Sequence, residues 1–191
     1  MLDAGAILGG AYSMVWESEN WKLPLLKLAK RLAAHKATKE LSEAQLAQIE
    51  RDIFIGFYSV RRLTETPTKV TDQTRTMLLA VSKFANLKPV TWRNNHRLDE
   101  LYDFSKYNQE KRSIPFVCGG VIHSFIFAPC VSEEGGLSGF FFTSDREKDK
   151  FLLFMDIDEV IALFRQIGND NPSVIESSRD PVTGVETLIV K

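Results

Sequence analysis

One histidine and three carboxylates form the sharpest candidate for chemistry in this sequence. They are His96, Asp99, Glu100 and Asp103, spaced at i, i+3, i+4 and i+7. This spacing places all four on one face if the segment is helical. Converging carboxylate and imidazole donors suit a divalent cation that activates water, so the cluster predicts a metal-dependent hydrolase or nuclease. The alternative is that these acids complement the helix dipole and face water.

His123 is a second candidate, because it lies in the apolar run 119–125 and is expected to be at least half buried. A buried imidazole needs partners. It could act as a catalytic base beside Ser124 or near Cys118, or join the metal cluster from a neighbouring strand. The alternative is a hydrogen-bonded structural histidine. No cation flanks Cys118, so the sequence gives no support for an activated thiolate.

Asp156 and Asp158 form an Asp-x-Asp pattern that some metal-dependent transferases place at the end of a strand. A helix cap explains the same residues. The Asp156 carboxylate can accept N–H groups of the first turn, with Glu159 as the reciprocal partner three residues on.

Aromatic and cationic residues alternate in 92–97 and again in 106–112, as they do in proteins that bind single-stranded nucleic acid. Acids are equally dense there, and the formal net charge of -1 gives no overall attraction to polyanions. Nucleic acid is therefore not indicated as a partner. The basic face of a predicted helix at 21–34 is interpreted as a solvated face rather than a phosphate- or membrane-binding surface.

The composition is that of an ordinary globular protein, with 44% hydrophobic and 26% charged residues in 191 positions. These values exclude a disordered or fibrous chain and favour a single domain over residues 1–191. The two cysteines show no CxxC spacing, so neither a disulfide scaffold nor a thiolate zinc site is expected. The segment 4–15 is too short and too rich in glycine to cross a bilayer. We expect a cytoplasmic protein with reduced, buried thiols and no membrane contact.

Apolar spacing predicts helices over 21–34 and 42–63, the second opened by a Ser42 and Gln45 capping box. Strands are predicted at 76–81, where a helix is the competing interpretation, and at 90–92. A short helix is predicted from 94 or 95 to about 104. The segment 121–128 is assigned to a strand, and a helix that begins at about 116 is the competing interpretation.

Two hairpins are expected in the last third. Residues 140–142 and 151–155 flank a charged turn and precede a helix over 158–166, while 173–177 and 185–190 flank a turn that begins Asp180-Pro181. The predicted fold class is α+β. A helical layer (1–66) packs on a sheet-rich layer (73–191), whose antiparallel sheet contains both hairpins and 121–128. The helix over 158–166 is expected to cover this sheet.

The chain resembles HEPN-type ribonuclease domains in its helix-rich first third, which includes 57–63, and in a later Ile122-His123-Ser124. Those domains place an arginine shortly before a histidine. Here Phe116, Val117 and Cys118 occupy the corresponding positions, and Arg112 lies farther back. The resemblance covers under half the chain and transfers no catalytic residue.

The sequence contains no phosphate loop, nucleophile elbow or metal-binding signature. We therefore expect a non-enzymatic binding or assembly module. The apolar segment 4–15 has no obvious cover within the chain, which predicts self-association or another protein partner. The metal-dependent enzyme remains the alternative, and the HEPN-like ribonuclease without its arginine is a remote one.

Overall fold

A computed structural model describes residues 17–191 of the chain. Within these residues the helices are α1 Glu19–Lys36, α2 Glu43–Glu65, α3 Asp72–Arg75, α4 Leu98–Leu101, α5 Ile114–Ile122 and α6 Ile157–Asn169. The strands are β1 Leu78–Ala85, β2 Asn108–Ser113, β3 Ser124–Val131, β4 Leu137–Ser144, β5 Phe151–Asp156, β6 Ile175–Arg179 and β7 Glu186–Val190. N-terminal helices precede an antiparallel sheet, so the predicted α+β class is confirmed.

The two long helices form where the apolar spacing predicted them. The capping box of α2 is present: Ser42 Oγ accepts the Gln45 N–H at 3.3 Å, and Gln45 Oε1 accepts the Ser42 N–H at 2.9 Å. A polar link joins the two helices, because Arg31 Nε and Nη2 each donate to the Asp52 carboxylate at 2.8 Å. Part of the basic face of α1 is therefore used to hold the helices together.

Five antiparallel strands form the main sheet in the order β2-β1-β5-β4-β3. Side chains alternate between its faces. Phe140 and Phe142 pack into a core with α1, α2, α5 and α6, whereas Phe141 packs on the opposite face against a smaller core that includes Leu101 and Tyr102. Both faces are thus covered, as the apolar runs in β4 and β5 require.

The central hairpin and the helix after it were predicted correctly. β4 and β5 pair around the charged turn, and Asp156 Oδ1 accepts the Asp158 N–H at 2.7 Å at the start of α6. The reciprocal role predicted for Glu159 is wrong. Its carboxylate instead accepts the Ala80 N–H of β1 at 2.9 Å, because the pairing of β1 with β5 ends at Ser82 and Phe154 and leaves that N–H without a strand partner.

The composition of the sheet differs from the prediction in two respects. The final hairpin, β6 and β7, forms a separate two-stranded sheet, and β1 and β2 complete the main sheet instead. β6 is exposed along its whole length, so it has no apolar face to bury in the main sheet. The strand predicted over 121–128 begins only at Ser124, because the residues up to Ile122 belong to α5. A proline in the first turn of α5 favours the start of this helix.

Two predictions between β1 and β2 are wrong. No strand forms at 90–92, where Asn94 Oδ1 accepts the Thr91 N–H at 2.7 Å and closes a turn. The helix predicted from 94 or 95 to about 104 is reduced to α4. Tyr102 follows α4 in an extended conformation, is buried beside Leu101, and forms a β-bridge to Asn86.

The segment 4–15, on which self-association was predicted, lies outside the described residues. Among residues 17–191, no helix combines the length and apolar character needed to cross a membrane.

Candidate ligand-binding cleft

A cleft of about 670 Å³ opens between α5 and the hairpin of β4 and β5. Phe142, Phe151 and Leu153 supply apolar side chains from the two strands, and Phe116 supplies one from the helix. The volume and the largely apolar lining match those of sites that hold small organic molecules. The cleft is therefore the candidate functional site of the described residues.

Two consecutive glycines explain why the cleft exists. A Cβ added to Gly120 would lie 2.9 Å from Phe142 Cε2, so this glycine allows α5 to approach the sheet. A Cβ added to Gly119 would meet no atom within 4 Å, although Gly119 also lines the cleft. The missing side chain at position 119 leaves the space open.

The turn between β4 and β5 places charged groups at the rim. Asp145 pairs with Lys148, and Glu147 Oε2 lies 3.4 Å from Lys150 Nζ. Both carboxylates of the rim are thus paired with lysines of the same turn. Arg146 is exposed and forms no ion pair within residues 17–191. Among these residues, the rim consequently carries one arginine that makes no direct ion pair.

Two more cations lie against aromatic rings of the cleft. Lys83 Nζ is 5.0 Å from the ring centroid of Phe151, and Arg112 Cζ is 4.9 Å from that of Phe116. Lys83 and Arg112 share a single acid, Glu110, to which both are hydrogen-bonded. Two positive charges against one negative charge leave a net positive charge beside the apolar lining.

One of these cations has an unused donor. Arg112 Nε is buried and has no hydrogen-bond partner among the described residues. A buried N–H without an acceptor carries a free-energy cost that a bound acceptor would remove. The arrangement as a whole therefore suits a molecule with an apolar body and an anionic, hydrogen-bond-accepting group.

His123 lines the cleft at an exposed position, although its sequence neighbours are apolar. It is the first residue after α5, with its N–H bonded to the Gly119 carbonyl at 3.1 Å, and the helix end points its ring to solvent. Within residues 17–191 the ring makes no hydrogen bond, with Ser124 or any other group. A catalytic role for His123 stays a prediction.

The four residues of the predicted metal cluster do not share a helix face. His96 precedes α4 and lines a separate cleft of about 330 Å³ beside β3, while Asp99 and Glu100 lie in α4. Asp103 follows α4. Its carboxylate accepts hydrogen bonds from the Ser105 hydroxyl and, at 3.0 Å, from the Ser105 N–H, and these two bonds lower the pKa of Asp103.

Among residues 17–191, no group of three or more His, Cys, Asp and Glu side chains is arranged to hold a metal ion. The metal-dependent hydrolase stays a prediction that this geometry does not favour. Asp156 and Asp158 are accounted for by the start of α6, where Asp156 caps the helix and Asp158 pairs with Lys36.

Both cysteines are free, and of the two only Cys118 has the buried position that was predicted for both. Cys118 is fully buried in α5, and this burial raises the pKa of its thiol to about 12. Cys130 is partly buried on β3, and burial raises the pKa of its thiol to about 11. Raised pKa values keep both thiols protonated and poorly nucleophilic at neutral pH.

Sequence reasoning found His123 but missed the cleft. The available signal was Gly119-Gly120, since two adjacent glycines inside a helical segment often mark a close approach or an open space. The other cleft residues carry no local signal, because strands and turns distant in the chain bring them together.

Comparison with known proteins gives no family or relative for this chain. No protein-family model matches it, and neither the curated proteins nor the solved structures contain a match.

Proposed function

We propose that this protein is a binding module whose cleft between α5 and the β4–β5 hairpin holds a small amphipathic anion. The observation that carries the proposal is the cleft itself, of about 670 Å³, with an apolar lining whose rings contact two cations that share a single acid. The proposal is for binding, and it includes no chemical step.

The apolar lining and the cations of the cleft would have different roles in binding, the first for affinity and the second for orientation of the ligand. Burial of an apolar body against Phe142, Phe151 and Leu153 would supply most of the binding free energy. Arg146, which lines the cleft at the rim, would receive the anionic group, while Arg112 packs on Phe116 and would contribute positive charge from behind the lining. A ligand that lacks the anion should bind less tightly, and a purely polar anion should bind hardly at all.

Two fluorescent probes test this division. Anilinonaphthalene sulfonate carries an anion on an aromatic body, and N-phenylnaphthylamine has a comparable body without the charge. Titration of the protein with each probe should show saturable binding of the sulfonate at one site per chain. We expect a lower affinity for the uncharged amine, and competition of the sulfonate by medium-chain alkanesulfonates but not by inorganic sulfate.

Gly119→Leu is the variant that blocks the cleft. The new side chain starts in open space, so it fills the cleft without a clash at its Cβ. Sulfonate affinity should fall by at least about tenfold, which corresponds to about 1.4 kcal/mol. The matched control is Ala162→Leu, which adds the same side chain at an exposed position of α6. Unchanged probe binding by Gly119→Leu would overturn the proposal.

Arg146→Gln separates charge from shape. It should weaken sulfonate binding by about two- to fivefold, because an exposed charge contributes about 0.2–1 kcal/mol. Binding of the uncharged amine should not change. Arg165→Gln, an exposed arginine of α6, is the control for the loss of one positive charge. Equal effects of the two substitutions would show that Arg146 does not act at the cleft.

A further inference from the structure

The C-terminal hairpin exposes an unusual share of the apolar surface. Of the fourteen large hydrophobic side chains that are exposed within residues 17–191, five lie between positions 174 and 189. They are Val174, Ile175, Val182, Val185 and Ile189. A two-stranded hairpin is marginally stable alone, and additional strands stabilise it. The hairpin therefore has the surface and the energetic reason to gain a partner.

β6 is the edge of this hairpin at which a further strand can pair. Val174 and Lys191 exchange both backbone hydrogen bonds, Lys191 N–H to Val174 O at 2.9 Å and the reverse at 3.0 Å. Hydrogen-bonded and non-hydrogen-bonded pairs alternate along an antiparallel ladder. With the observed register, the N–H and C=O groups of Ile175, Ser177 and Arg179 therefore point away from β7.

The outer edge of β7 is partly occupied. Its Val190 N–H, which points away from β6, donates to Asp72 Oδ2 at 2.8 Å, and Val190 is buried. β6 pairs with β7 alone and is exposed along its length. Within the described residues, the open edge of the hairpin is thus the β6 side.

The two edge strands of the main sheet carry features that oppose pairing with another strand. β6 lacks such features. β3 contains Pro129 and two irregularities in its register, and β2 carries three consecutive charged residues, 110–112. Prolines, bulges and charges are the usual devices that protect a sheet edge. β6, with the sequence IESSR, has no proline, no bulge and no run of charges.

We propose that β6 pairs antiparallel with β6 of a second copy of this chain, with Ser177 on the two-fold axis. This register places every outward backbone group of 175–179 opposite its counterpart. Ile175 lies opposite Arg179 of the second copy, whose aliphatic stem covers it. A register centred on Arg179 would instead oppose two like charges. The product is a four-stranded sheet, and self-complementarity of the strand favours a second copy as the occupant.

The sharpest test uses cysteines at adjacent positions. In the proposed pair, Ser177 faces its own copy with the Cα atoms about 5.5 Å apart, which a disulfide can span. Ser177→Cys should form a disulfide-linked dimer under mild oxidation. Ser178→Cys should not, because residue 178 faces Glu176 of the second copy and lies more than about 7 Å from its own counterpart. Wild-type protein controls for Cys118 and Cys130.

Ser177→Pro tests the same pairing without cross-linking. The substitution removes an N–H that points away from β7, so the hairpin keeps its own hydrogen bonds, and proline is tolerated at such edge positions. Sedimentation over a roughly hundredfold dilution series should show a wild-type monomer–dimer equilibrium. The dissociation constant should rise at least about tenfold in Ser177→Pro and stay unchanged in Ser177→Ala.

Three results would overturn the proposal. A wild-type protein that is monomeric at every concentration has no such interface. A dimer that survives Ser177→Pro uses another surface. Absence of cross-linking by Ser177→Cys, at concentrations where the wild type is dimeric, excludes the register centred on Ser177. None of these outcomes depends on whether the cleft beside α5 binds a ligand.

Discussion

The Glu159 carboxylate of α6 accepts the backbone N–H of Ala80 in β1 at 2.9 Å. β5 pairs with residues Ser82 to Ala85 of β1, and its last residue, Asp156, caps α6. The first turn of α6 thus supplies the hydrogen-bond acceptor that β5 does not provide for Ala80. A side chain, rather than a strand, completes this part of the sheet.

This relationship predicts that Glu159→Ala destabilises the protein by about 1–2 kcal/mol, because a hydrogen bond to a charged acceptor is lost. Asp158→Ala is the matched control. It removes another acid of the same helix turn, whose ion pair with Lys36 is exposed and contributes at most about 1 kcal/mol. Urea unfolding of both variants measures the difference. Equal losses would mean that the helix dipole, and not the bond to Ala80, accounts for the effect of Glu159.

Two arginine–carboxylate ion pairs with the same distance between nitrogen and oxygen should contribute differently to stability. Arg31 Nε lies 2.8 Å from Asp52, whose side chain is 2% exposed, and Arg61 Nε lies 2.8 Å from Glu65, whose side chain is 45% exposed. Asp52→Asn should cost about 1–3 kcal/mol, since a buried carboxylate that accepts two guanidinium bonds is lost.

Glu65→Gln should cost less than about 0.5 kcal/mol, because water replaces an exposed partner. Denaturant unfolding at low and high salt checks both values. We expect the Asp52 effect to persist in high salt, and the opposite ranking would contradict the importance of burial.

The elements predicted correctly are those whose signals lie within a single segment. The Ser42–Gln45 capping box and the apolar spacing of α2 specify that helix locally, and Asp156 does the same for α6. β2 has no such signal. Its sequence NQEKRS shows no apolar alternation, and it is a strand because β1 supplies a hydrogen-bonding partner along its length.

The candidate site failed to emerge from sequence for a related reason. Its apolar lining comes from helix α5 and strands β4 and β5, and their side chains face one another only after the sheet forms. The His96 cluster shows the converse error. Its spacing was correct for a helix, but burial of Tyr102, whose hydroxyl donates to the Lys148 carbonyl at 2.7 Å, ends α4 too early.

Two helical glycines should respond to alanine in opposite directions. A Cβ at Gly56 of α2 would lie 2.1 Å from Cζ of the buried Phe164, so Gly56→Ala overpacks the core and should destabilise by about 1–3 kcal/mol. Gly119→Ala meets no atom and should stabilise by about 0.5–1 kcal/mol, because alanine favours the helix.

Thermal unfolding of the two alanine variants measures both signs. The double variant Gly56→Ala with Phe164→Leu identifies the cause, since the smaller leucine should recover part of the loss. If helix propensity were decisive, both single substitutions would stabilise the protein.

Stability should fall in alkaline solution because of the buried Cys118 thiol. Burial raises its pKa from 9.0 to about 12, so between these values the folded protein keeps a proton that the unfolded chain releases. A raised folded-state pKa contributes stability that is fully present below the unfolded value and is lost as pH increases. The expected slope from this group is about 1.4 kcal/mol per pH unit above about pH 9.

Cys118→Ala should remove this slope while lowering stability at pH 7 through the cavity that it leaves. Urea unfolding at pH 7, 9 and 10 measures the free energy of unfolding of the variant and of the wild type. The gap between the two free energies should narrow as the pH rises. The range ends at about pH 10 because the raised pKa of the buried Tyr102 hydroxyl adds its own loss above its ordinary value of 10.0. A gap that stays constant from pH 7 to 10 would show that Cys118 ionises equally in both states.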